Sequence, residues 1–153
     1  MECKTIDLKS IKDLKQVYEL DLAWYILSDD EVVYGFFEDN KIIAFVKISE
    51  NSIEEGTIDI DEFEVLSLYR GKGYGKKCID YLLKELNTEV KLLAQNSEVQ
   101  KFWESCGFVD DGISEEELPL IYRPKNQKGM ESTGVSPHKE KINISKEIIN
   151  KTR

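Results

Sequence analysis

Apolar residues recur along the chain with two periods, near 2 and near 3.6, and each change of period marks a boundary between elements. Glu2 to Ile6 reads as a short first strand, and Asp7 or Ser10 is placed to cap a helix whose apolar stripe is Ile11, Leu14, Val17, Tyr18, Leu20 and Leu22. Ser28-Asp29-Asp30-Glu31 ends that stripe. Val32 to Phe37 and Lys41 to Ser49 are β-rich runs joined by Glu38-Asp39-Asn40, a hairpin turn. After a second turn over Asn51 to Gly56, Thr57 to Leu68 reads as a long fourth strand carrying Ile58, Ile60, Phe63 and Val65. It runs into Arg70-Gly71-Lys72-Gly73-Tyr74-Gly75, and a helix follows to about Asn87 with Cys78, Ile79, Leu82, Leu83 and Leu86 on one face. Val90 to Ala94 is an apolar run of the kind found in buried parallel strands, which completes a βαβ unit. Ser97 opens a second amphipathic helix with Val99, Phe102 and Trp103 on its apolar side and Gly107 as its C-terminal cap. Phe108-Val109 starts the next strand, Asp110 to Glu117 is an acidic link, and Leu118 to Arg123 is the last strand.

Past Pro124 the pattern fails. Asn126 to His138 is rich in Gly, Ser, Pro, Lys and Asn and reads as linker or disorder, while residues 139–151 regain a weak helical period through Ile142, Ile144, Ile148 and Ile149. The organisation expected is one domain over residues 1–124 and a basic tail over 125–153, with a short helix possible at 139–151.

Composition narrows the class. A chain of 153 residues with 41% hydrophobic and 33% charged residues suits one globular domain with its own core. No apolar run approaches the roughly 20 residues that span a bilayer, and the N-terminus MECKTIDLKS lacks a secretory core, so the expected location is the cytoplasm, with no membrane partner. Cys3, Cys78 and Cys106 are odd in number and far apart, which argues against a disulfide framework or a metal site. The net charge of −9 disfavours nucleic acid. It is also uneven: seven Lys or Arg and three Glu give residues 125–153 a charge of +4, leaving −13 on residues 1–124. An acidic body with one basic turn points to an anionic cofactor at that turn and a cationic substrate near it.

Strand, bare-backbone turn and helix N-terminus make an anion cradle, because glycines let main-chain N–H groups converge and the helix dipole adds positive charge. Three phosphate motifs compete for the turn. A P-loop fails, since Gly75 is followed by Lys76 and Lys77 with no hydroxyl for magnesium. A dinucleotide fingerprint is weak, because the sixth position after Gly71 and Gly73 is Lys76. The third pattern, Arg/Gln-x-x-Gly-x-Gly/Ala between strand and helix, is satisfied by Arg70, Gly73 and Gly75.

Here the sequence resembles the Gcn5-related N-acetyltransferase (GNAT) superfamily over residues 2 to about 123. Phe63-Glu64-Val65 followed by Tyr69 to Gly75 is similar to the acetyl-coenzyme A pyrophosphate motif, and Asn96, Val99, Phe102, Trp103, Gly107 and Phe108 match the family's Asn-x-x-Ala-x-x-Phe-Tyr-x-x-x-Gly-Phe helix in spacing. The resemblance implies an α/β acyl-CoA N-acyltransferase fold: a mixed sheet of six to seven strands, helices on both faces, and a parallel Val65/Leu92 strand pair at its centre. It also implies that Arg70, Gly71, Lys72, Gly73, Tyr74, Gly75 and Lys76 hold the pyrophosphate, that the backbone of Val65, Leu66 and Ser67 pairs with pantetheine, and that Asn96 and Trp103 border the cofactor.

Acetyl transfer from a thioester to an amine needs a neutral amine and stabilisation of the charge that develops on the carbonyl oxygen. The resemblance implies that a fourth-strand N–H, of Val65 or Leu66, polarises that oxygen. For the base, Glu62 is the first candidate, with Glu64 and Asp59 behind it; strict alternation places Asp59, Asp61 and Phe63 on one face and Ile60, Glu62 and Glu64 on the other, unless a bulge changes the phase. Glu19, Asp21, Glu31 and Tyr34 are placed to line the amine pocket. Where the family often carries a Tyr that protonates the departing thiolate, this chain has Trp103, and an indole N–H is no practical acid. The expected function is therefore acetyl transfer from acetyl-coenzyme A to a primary amine of a small cationic molecule or peptide, by a monomer or homodimer without a metal. A non-catalytic coenzyme A-binding or interaction domain is the rival class.

Overall fold

The structure, a computed structural model, describes residues 1–7, 9, 30–112 and 117–125. The hairpin expected at Glu38-Asp39-Asn40 is present: Asp39 and Asn40 lie at φ of 50° and 63°, the mirror-image turn whose twist matches that of the strands it joins. It connects β2 (Glu31–Glu38) to β3 (Lys41–Glu50). With β1 (Glu2–Thr5), β4 (Ile58–Val65), β5 (Val90–Ala94), β6 (Val109–Asp110) and β7 (Leu118–Tyr122), they form one seven-stranded sheet in the order β1-β2-β3-β4-β5-β7-β6. β4 and β5 pair in parallel, and the other neighbours pair antiparallel.

Two helices are described, α1 (Tyr74–Leu86) and α2 (Ser97–Ser105), and both feed one core. Cys78, Ile79, Leu82, Leu83 and Leu86 of α1 and Trp103 of α2 pack with Val32, Phe36, Ala44, Val46, Ile58 and Ile60 of the sheet. On the other face Val33, Phe45 and Leu66 form a smaller buried group. Asn87 ends α1 in the left-handed region, its N–H bonded to Leu83 O at 2.9 Å, and Asn96 starts α2 by accepting from the Val99 N–H at 2.9 Å. The helix expected over Ile11 to Leu22 and the segment 139–151 lie outside the described residues.

Three expectations change. The fourth strand stops at Val65 rather than Leu68, because a 3-10 turn over Ser67–Tyr69 follows it. The parallel pair is held by Ile58↔Val90 and Asp59↔Lys91, not by Val65 and Leu92: the strands meet at their first residues and then part. And β4 carries a bulge. Lys47 pairs with Glu62 but Ile48 pairs with Ile60, so Asp61 is one residue more than β3 can match. The extra residue slips the side-chain phase, so Ile58, Ile60, Phe63 and Val65 all belong to the main core while Asp59, Glu62 and Glu64 turn to the other face.

Candidate active site

Where β4 and β5 part, a cavity of about 480 Å³ opens, lined by Ile60 to Val65, Arg70, Leu92, Leu93, Gln95, Val99, Phe102 and Trp103. It exists because the partner that would fill the β5-facing edge of β4 has turned away. Peptide groups along a strand point alternately to one neighbour and the other. The Leu66 N–H donates to Ile43 O of β3 at 2.9 Å, so it does not face the cavity, and the expectation that Leu66 supplies the thioester donor is corrected. By the same alternation the N–H groups of Phe63 and Val65 point to the β5 side, into the gap. Arg70 caps the end of this edge, its Nε donating to Val65 O at 2.8 Å.

The four carboxylates of β4 have different neighbours. Glu64, 5% exposed, pairs with Arg70 at 3.2 Å. Glu62 lies 3.2 Å from the ammonium of Lys47, a lysine only 4% exposed. Asp59 accepts from Asn51 Nδ2 at 2.9 Å and lies outside the cavity lining; burial holds its carboxyl above the ordinary range, against the opposing pull of Asn51 and Lys91. Asp61, the bulge residue, lines the cavity and is exposed as a whole, but its Oδ2 accepts from buried Ser49 Oγ at 2.9 Å and it shares a hydrogen bond with Glu31. Burial of that carboxyl, then the hydrogen bond and charge of Glu31 and the charge of Asp59, push it up to about 7, with Ser49 opposing.

Beyond the 3-10 turn the chain enters the glycine cradle. Gly71 and Gly73 lie at φ of 74° and 83°, and nothing stands within 4 Å of where a side chain would project from either, so the backbone there is open to a ligand. Gly75 serves packing: a Cβ would sit 3.2 Å from the Phe102 ring and 3.4 Å from Val65. Gly73 caps α1, whose first turn holds no acid, so the helix dipole is unopposed at this point. Lys72 is exposed, Lys76 bonds Asp80 at 2.8 Å, and Lys77 pairs with Glu38. Tyr74 packs edge-on against Tyr69 at 5.7 Å, Ser67 is exposed, and exposed Asn96 caps α2. An open, positive, bare-backbone turn at a helix N-terminus fits a pyrophosphate.

Strict alternation places Asp61 on the strand without marking it as the base, and gives no reason to single out Ser49 or Lys47. A signal was there: Ile58 and Ile60 keep one phase, Phe63 and Val65 the other, and Asp61-Glu62 is where they slip. Of the residues expected to line the amine pocket, Glu31 stands beside Asp61, Tyr34 belongs to the main core, and Glu19 and Asp21 lie outside the described residues. Burial pushes the Cys78 thiol up to about 12 and the Cys106 thiol up to about 11, away from the reactive thiolate form. No helix among the described residues is long and apolar enough to cross a membrane.

Residues 4–108 match the model of the acetyltransferase (GNAT) family. A Staphylococcus epidermidis protein described as an uncharacterized N-acetyltransferase is 29% identical over 107 residues, covering 65% of this chain and 72% of the relative. Among solved structures, Tetrahymena GCN5 superposes with a TM-score of 0.62 at 10% identity, over 80% of this chain and 95% of that one. The PaiA N-acetyltransferase of Thermoplasma acidophilum, solved in complex with coenzyme A, gives a TM-score of 0.56 at 16% identity, over 80% and 98%. The chain belongs to the GNAT family and is an acetyl-coenzyme A-dependent N-acetyltransferase.

Proposed function

We propose that the chain acetylates the primary amine of a small cationic molecule or peptide, with acetyl-coenzyme A bound along the open edge of β4 and Asp61 taking the proton that the ammonium must lose first. The observation that carries this reading is the gap between β4 and β5, which leaves the β5-facing edge of β4 open, directs the Phe63 and Val65 amides towards it by alternation, and leads through Arg70 to the glycine cradle.

Acetyl-coenzyme A supplies a thioester whose thiolate is a good leaving group near neutral pH. The main-chain N–H groups from Lys72 to Lys76 and the N-terminus of α1 hold the pyrophosphate, and the Phe63 and Val65 amides donate to pantetheine and to the carbonyl oxygen as charge builds on it. Asn96 and Trp103 border the same edge. Asp61 takes one proton from the ammonium and passes it to water. The amine nitrogen then bonds to the carbonyl carbon, the carbon–sulfur bond breaks, and the second amine proton ends on the coenzyme A thiol. Charge balances without a protein acid at the Trp103 position.

Asp61 suits the base role because its neighbours differ from those of the other β4 carboxylates. Glu62 and Glu64 each stand against a cation, whereas Asp61 faces a hydroxyl and two like charges, which brings it near neutrality. Asp61 in the cavity lining, with the Glu31 carboxyl bonded to it, favours a cationic acceptor. The test is coenzyme A release across a panel of polyamines, amino sugars and peptides. Turnover on cationic amines is expected, with Asp61→Asn lowering kcat by roughly 10²–10⁴ while acetyl-coenzyme A binding persists. Full activity in Asp61→Asn and loss in Glu62→Gln would reassign the base.

A further inference from the structure

The gap between β4 and β5 is closed on its core side by aromatic rings, and what those rings do follows from how they are held. Phe63 of β4 stacks on Phe102 at 6.1 Å with 15° between the planes, and meets Trp103 edge-on at 5.8 Å. Trp103 also meets Phe102 at 5.1 Å and, behind it, Phe108 at 5.3 Å. Phe36 backs Phe63 at 6.3 Å. Trp103 is 6% exposed, while Phe36 and Phe108 are 0% and 2% exposed.

We propose that Trp103 fixes the length of the acyl group this enzyme transfers, admitting acetyl and turning away chains of four carbons or more. The inference rests on the acetyl transfer proposed above. A donor whose carbonyl lies on the Phe63 and Val65 amides has the Phe63 and Trp103 rings close beside it, because Phe63 supplies both the amide and the ring that Trp103 touches. A flexible aliphatic floor would yield to a longer chain. This one cannot, since packed interiors do not open without leaving a void, and each ring here is braced by another that is itself buried. Discrimination at an apolar wall runs at roughly 10–200-fold for a methylene, so two more carbons against a rigid indole are enough for selection.

The test uses the full chain with acetyl-, propionyl-, butyryl- and hexanoyl-coenzyme A and one acceptor amine, reading the ratio of kcat/KM for butyryl over acetyl and the matching ratio of dissociation constants. The wild-type ratio is expected to be low. Trp103→Ala should raise it at least tenfold and Trp103→Leu less. Leu86→Ala, a buried change in α1 away from the cavity, should lower Tm and leave the ratio alone. Trp103→Leu keeps the test alive if Trp103→Ala does not fold. A wild type that takes butyryl as well as acetyl, or an unmoved ratio in a folded Trp103 variant, overturns the proposal. Were the protein to bind these donors and transfer none of them, the proposed function would fail, and the ratio of dissociation constants would still decide the role of Trp103.

Discussion

At the scale of the residue, four carboxylates crowd into positions 59 to 64 of β4, and their neighbours separate them. Glu62 stands against Lys47 and Glu64 against Arg70, while Asp61 is raised to about 7 by burial and by Glu31. Two consequences carry opposite signs. As a base Asp61 works when ionised, so kcat should climb as pH rises through about 7, and Asp61→Asn should remove that rise along with most of the rate. For stability, the folded form holds its proton up to about 7 while the unfolded chain releases it near 3.8, so the contribution is full below pH 4 and is lost as pH rises towards 7. Asp61→Asn should therefore match the wild-type Tm near pH 4 and exceed it at pH 8, by a modest amount because the residue is exposed overall. Scanning calorimetry at the two pH values checks it.

At the scale of the element, the β4 bulge and the glycine cradle place the site. Buried Lys47 and half-buried Glu62 pair across the strands at the bulge, and an ion pair of this kind is replaceable as a unit. Glu62→Leu alone should lower Tm by several degrees, because it removes a counter-charge from a buried ammonium. The double change Lys47→Met with Glu62→Leu should recover most of that and keep acetyl transfer, an outcome that would be impossible if Glu62 were the base. In the cradle, Gly73→Val meets open space but a disallowed φ of 83°, so it should raise KM for acetyl-coenzyme A more than it lowers kcat. Gly75→Val instead meets Phe102 and Val65, and thermal unfolding should show a lower Tm.

At the scale of the whole molecule, the parts legible in the sequence were those written in local chemistry. The Asp39-Asn40 hairpin, the Arg70 to Gly75 turn and the Asn96 to Phe108 helix each follow from residues adjacent in the chain, and each appears in place. What strict alternation misread depends on partners. The bulge at Asp61 arises from β3 pairing, the early end of β4 from the turn after it, and the donor parity at Leu66 from a hydrogen bond to Ile43. The parting of β4 from β5 is a property of two strands, and residues 58 to 65 do not write it alone. Charge acts at this scale too: with −13 on residues 1–124, kcat/KM for a dicationic amine should fall as ionic strength rises, and that for a neutral amine much less.

Where the acetyl donor lies can be read from amide chemical shifts of labelled protein titrated with acetyl-coenzyme A. The largest shifts are expected at Gly71, Lys72, Gly73, Gly75 and Lys76 in the cradle and at Phe63 and Val65 on the open edge, with Leu66, bonded to Ile43, moving less. Saturable binding that leaves the cradle and the Phe63 and Val65 amides unmoved, with shifts gathered elsewhere on the sheet, would contradict it.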